Sequence, residues 1–173
     1  MRITVLFIIL LLAVLMDFCF DRIPNGLIAA GVILSVWYQG RAYGMHGIIQ
    51  AVLGMTAPVI LLFLLFRIGT LGAGDVKLLA VAGAFLGLRD SLLCMAASFV
   101  IGASLSLVKM CLHGNYVTRM QYLAGYVLTT IRSGNIRRYK HTGEPGSSIR
   151  FSLPVLLGVL LIYMGRAGDA FGL

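Results

Sequence analysis

The sequence predicts an all-α fold: a polytopic membrane protein of about six transmembrane helices, plus a cytoplasmic interfacial amphipathic helix. Three observations predict it. Of 173 residues, 60% are hydrophobic and 12% charged, against about 25% charged in a typical soluble domain. The mean hydropathy is +0.97. The apolar stretches are continuous runs rich in Leu, Ile, Val and Ala, unlike the ~10-residue alternating segments of a transmembrane barrel. In hydrocarbon every backbone N–H and C=O must be paired inside the protein, so continuous runs of this kind span as helices.

The elements follow in order, within one membrane-embedded domain over 1–173. The run from Ile3 to Met16 predicts a helix over 3–20. A signal peptide also opens with a charge and an apolar stretch, but no small-x-small cleavage site follows this one. Asp21-Arg22-Ile23-Pro24-Asn25-Gly26 is a turn: Pro24 disfavours helix before it, and Asn-Gly is turn chemistry. A second helix covers 26–38 and ends where Gln39-Gly40-Arg41 breaks it, with Trp37 and Tyr38 at the level of an aromatic belt. A third, over 45–66, fills the longest uncharged run and stops before Arg67. The glycine-rich stretch Gly69 to Gly74 opens a fourth over 72–88. Arg89-Asp90 is a hydrophilic turn, and a fifth helix covers 91–110. The last, over 151–165, carries Pro154 in its first turn, where a missing N–H is tolerated.

A polar cytoplasmic segment over 113–150 separates the last two helices. Within it Tyr116, Val117, Met120, Leu123, Ala124, Val127, Leu128 and Ile131 keep i, i+3/i+4 spacing. The run between Arg119 and Arg132 is too short to span. It reads as an interfacial amphipathic helix or as a helix packed on the others. Residues 133–148 read as a flexible basic loop.

The net charge of +8 does not read as nucleic-acid binding, because the positive residues sit between apolar runs. They report topology. Arg22, Arg67, Lys77, Lys109, Arg119, Arg132, Arg137, Arg138, Lys140 and Arg150 fall on one side; Arg2, Arg41, Arg89 and Arg166 fall on the other. The positive-inside rule makes the first side cytoplasmic and both termini external. Cys19, Cys94 and Cys111 form no CxxC pair and read as packing residues, not metal ligands.

Carboxylates are scarce. Asp90 and Asp169 fall on the external side and Glu144 in the basic loop, which leaves Asp17, Asp21 and Asp75 at cytoplasmic helix ends. An ionisable group in a membrane helix is costly and marks a functional site by default. Asp17 is flanked by Met16 and Phe18-Cys19-Phe20. Gly72 and Gly74, ahead of Asp75, let another backbone or an extended peptide approach closely. Asp17 and Asp75 share depth and face, and adjacent helices would let them meet around one water. Two carboxyls a few ångströms apart do not readily both ionise. One then activates water while the other hydrogen-bonds a scissile carbonyl. Other roles stay open: Asp75 paired with Lys77 or capping its helix, Asp17 paired with Arg22, a transporter, or a non-catalytic scaffold.

These residues carry a resemblance. Asp17-Phe18-Cys19-Phe20-Asp21-Arg22-Ile23-Pro24-Asn25 resembles the first motif of the type IV prepilin peptidase family, intramembrane aspartic proteases. Gly72-Ala73-Gly74-Asp75-Val76-Lys77 resembles its GxGD motif, and Ile149-Arg150-Phe151-Ser152-Leu153-Pro154 is similar to the segment opening its last helix. The resemblance implies Asp17 and Asp75 as the catalytic pair, with no cofactor and no metal. Asp21, Pro24, Asn25, Gly72, Gly74 and Lys77 are implied as substrate-binding or supporting residues. It implies a prepilin-like protein substrate whose basic leader is cut at the cytoplasmic face of the cell membrane. Partners are then that substrate and the lipid bilayer, with no nucleic acid; homo-oligomerisation is left open. The chain starts directly at its first helix, and has no cysteine cluster and no S-adenosylmethionine motif. It therefore resembles the family's short forms, in which N-methylation is not implied.

Overall fold

The computed structural model describes residues 2–68, 71–112 and 151–171. The expected amphipathic segment over 116–131 and the basic loop lie outside them. The described residues form five helices and no strand: α1 (Arg2–Phe20), α2 (Asn25–Ile68), α3 (Ala73–Leu86), α4 (Leu88–Leu112) and α5 (Ser152–Phe171). Three stretches are long and apolar enough to cross a membrane: Arg2–Phe20, Asn25–Ile68 and Leu88–Lys109.

The expected helices over 26–38 and 45–66 are two arms of α2, and the break is not at Gln39-Gly40-Arg41. Helix continues to Gly44, whose φ of 59° and ψ of −141° leave the helical region. Only glycine takes that conformation without strain. The chain doubles back there. A Cβ on Gly47 would stand 2.1 Å from the Gln39 carbonyl oxygen, whereas a straight helix holds residues eight apart roughly 12 Å from each other. A second correction concerns Arg89 and Asp90. The turn is at Gly87, with φ 87°, and both residues lie in the first turn of α4.

α3 is the centre of the bundle. Its apolar residues run all the way round, and every residue from Leu78 to Phe85 is buried, as expected of a helix without a polar face. Fourteen residues reach only about 21 Å, so α3 is lined by its neighbours more than matched to a bilayer. Leu6, Leu10 and Ala13 of α1 and Val155 and Val159 of α5 complete the core. Lipid offers little hydrophobic drive between helices, so association needs close backbone approach at small residues. Gly54 and Gly83 supply it: a Cβ on Gly83 would fall 2.1 Å from the Gly54 carbonyl oxygen. Ser91 Oγ also donates to that oxygen at 2.9 Å. Outside, Ile8, Leu11, Ile33, Ile60, Leu64 and Val100 are exposed, a surface suited to lipid and a liability in water.

The α3–α4 corner illustrates how helix ends are satisfied. The last carbonyls and first N–H groups of helices lack partners within the helix. Gln39 Nε2 donates to the Phe85 carbonyl at 3.1 Å, and its Oε1 accepts from Arg2 at 2.8 Å. Gln50 Oε1 accepts from the Leu88 N–H at 3.4 Å. Nearby, Arg166 Nη2 stands 2.8 Å from Asp90 Oδ2. Asp90 is only 4% exposed; the contact is an ion pair outside hydrogen-bond alignment. Cys94 packs in the core, whereas Cys19 and Cys111 lie exposed, against the expectation that all three pack.

Candidate active site

At the end of the bundle opposite that corner, α1 finishes at Phe20, and Asp17 occupies its last turn. Asp21 stops the helix. Its φ is 50°, left-handed, a conformation Asp tolerates better than most residues. Its N–H donates to the Asp17 carbonyl at 3.2 Å, the single bond of an αL cap. Asp21 is thus a helix-ending residue on the exposed side of the site. Pro24 then opens α2, its carbonyl accepting from the Leu27 N–H at 3.1 Å.

This turn locks onto the start of α3 by two contacts. The Ile23 side chain lies over Gly74, where an added Cβ would meet Ile23 Cδ1 at 3.4 Å. Lys77 Nζ donates to Asn25 Oδ1 at 2.8 Å. The Lys77 ammonium thereby ties α3 to α2.

Asp75 is the third residue of α3, and Gly72 is its N-cap with extended backbone. Glycine has no side chain to cap the helix, and Asp75 supplies the return bond, accepting from the Gly72 backbone N–H. This is half of a capping box. The carboxylate is held close: a Cβ on Gly72 would stand 2.9 Å from Asp75 Oδ2. The capping role and a chemical role are compatible, since a carboxylate has two oxygens and several lone pairs.

Asp17 and Asp75 lie at the same end of the bundle. Both are half-buried, and the Asp17 carboxylate lies within electrostatic reach of Asp75. A further residue joins them. Ser152, the first residue of α5, is fully buried, and its hydroxyl donates to Asp17 Oδ2 at 2.5 Å. Phe151 fixes that helix start. Its ring packs on Phe99 at 5.2 Å between centroids and over Gly102, where a Cβ would meet it at 3.1 Å. The sequence marks only the segment around Ser152, as similar to the opening of the family's last helix, and gives Ser152 no role of its own.

The arrangement is two carboxylates at helix ends and one hydroxyl donor, and Phe18, Phe20, Gly72 and Ala73 on the flanking turns are exposed. A half-buried carboxylate pair suits proton transfer to and from a bound water and a polarised carbonyl. Fold and site together define an all-helical membrane protein with paired carboxylates at one end. Residues 4–107, well over half of the chain and spanning both Asp17 and Asp75, match the type IV leader peptidase family. The chain belongs to that family and is a leader-peptidase-like protease. No curated protein and no solved structure matches it.

Proposed function

We propose that the chain is an aspartic endopeptidase that removes the leader of prepilin-like precursors at the cytoplasmic membrane face, with Asp17 and Asp75 as its catalytic pair. The observation that carries this reading is the convergence of the two motif carboxylates at one end of the bundle, from positions far apart in the chain. The charged carboxyl takes a proton from the water as its oxygen attacks the scissile carbonyl. The protonated carboxyl donates to the carbonyl oxygen. Collapse of the tetrahedral diol breaks the C–N bond, and the departing amine takes up a proton. Acid–base help of this kind is worth ~10²–10⁴-fold in rate, and the pair acts as a unit.

The substrate class follows from family membership and from position. The carboxylates stand at a membrane-helix end beside exposed Phe18 and Phe20, where an apolar helix would lie in lipid and its charged leader stay in water. The distribution of Lys and Arg supports a cytoplasmic face for that end. The test is co-expression with a pilin-like precursor and mass analysis of the product. The precursor loses its leader with the wild-type chain and keeps it with Asp17→Asn or Asp75→Asn, each still accumulating in the membrane. Cleavage by either variant contradicts the assignment. Ion-dependent flux without cleavage would favour a transporter.

A further inference from the structure

Ser152 is fully buried, so its hydroxyl must find a partner inside the protein. Phe151 holds the cap position of α5, its carbonyl accepting from the Val155 N–H at 3.2 Å, so the Ser152 hydroxyl at the first helical position has no capping role to fill. This hydroxyl turns instead to Asp17 Oδ2, across 135 positions of sequence. It lies outside the residues that match the family. The machinery that delivers it is also specific: Phe151, seated over Gly102 and against Phe99, anchors the start of α5 on α4.

The electrostatics of the two helix ends point the same way. Asp17 lies in the last turn of α1, where unpaired carbonyls disfavour a negative charge. The N-terminus of α5 meets the same carboxylate, and its partial positive charge offsets that disadvantage. A hydroxyl bonded to Oδ2 fixes the rotation of the carboxyl and leaves Oδ1 for the attacking water.

We infer that Ser152 is a positioning residue for Asp17, holding its carboxylate in one orientation and in acceptor form toward Asp75. The inference rests on the catalytic reading of Asp17. A bond to a charged acceptor of this kind corresponds to about tenfold to a hundredfold in turnover.

The experiment uses the full chain in lipid nanodiscs, with a synthetic precursor of a short basic leader followed by an apolar helix. Ser152→Ala lowers kcat about tenfold to a hundredfold with KM within about twofold, and Ser152→Thr restores most of kcat. The infrared carboxylate bands shift between wild type and Ser152→Ala, and the shift disappears in an Asp17→Asn background. Where the alanine variant fails to accumulate, Ser152→Cys carries the same comparison, since a thiol is a weaker donor of similar shape. An unchanged kcat, a loss that Thr does not restore, or unmoved carboxylate bands would overturn the role. Normal cleavage by Asp17→Asn would overturn the catalytic reading itself, while the infrared shift still reports whether the Ser152–Asp17 bond exists.

Discussion

Lys77 Nζ donates to Asn25 Oδ1 across 2.8 Å, joining the first turn of α2 to the first turn and a half of α3. Two motifs 52 positions apart thereby become one unit, and Ile23 over Gly74 makes the second contact between them. Exposed bonds of this kind contribute little to stability, under about 1 kcal/mol. On the proposed catalytic reading, their role is to hold Asp17 and Asp75 in register. Asn25→Ala and Lys77→Ala should each slow cleavage severalfold with little change in unfolding temperature. The double variant should be no slower than the worse single, because both changes remove one bond. Initial rates in this cycle give the answer; full additivity would mean that the two residues act separately.

Asp17→Asn and Asp75→Asn should each reduce the rate by about 10²-fold or more. Asp90→Asn is the control. It removes a more deeply buried carboxylate at the other end of the bundle, where Arg166 faces it. It should leave cleavage intact and lower only thermal stability, read by fluorescence-detected chromatography after heating.

Gly72 and Gly74 should separate by direction. A Cβ on Gly72 would press on Asp75 Oδ2 at 2.9 Å, and the backbone there accepts any residue. The flexible carboxyl yields, so Gly72→Ala should keep the fold and lose turnover, up to about 10²-fold for a displacement near 1 Å. A Cβ on Gly74 meets Ile23 Cδ1 at an ordinary 3.4 Å, so Gly74→Ala should remain within severalfold of wild type. Equal losses at both positions would refute this account.

At the helix crossing the prediction is one of stability. Gly83→Ala and Gly54→Ala drive a methyl into backbone oxygen at 2.1–2.2 Å, and backbone cannot swing aside as a side chain can. Overpacking of this kind costs about 1–3 kcal/mol or more. Gly26 is the contrast: nothing lies within 4 Å of a Cβ there. Gly26→Ala in a helix should be neutral or stabilising by up to about 1 kcal/mol. Thermal unfolding of the purified chain checks both.

Much of the candidate site was legible because its motifs are local. Asp17, Ile23-Pro24-Asn25 and Gly72-Ala73-Gly74-Asp75 are short patterns, and charge scarcity drew attention to them. The helix boundaries were harder where more than one glycine offered a break. Gly40 and Gly44 both stand in the stretch between the arms of α2, and only the chain reversal at Gly44 selects the left-handed residue. Arg89-Asp90 looked like a turn because it is hydrophilic, yet acidic residues also belong in the first turn of a helix, and Gly87 had already made the corner. The Ser152–Asp17 bond had no local signature. It depends on α5 packing beside α1, a relation that spacing does not encode.

The burial of α3 distributes freedom unequally between the two carboxylates. Asp75 stands on a rod walled in from Leu78 to Phe85 and pinned by backbone contact at Gly83. Asp17 stands on a helix whose outward flank, Ile8, Leu11, Leu15 and Phe18, is open. On the proposed catalytic reading, an incoming chain therefore finds its open flank along α1, with the other acid on the enclosed wall.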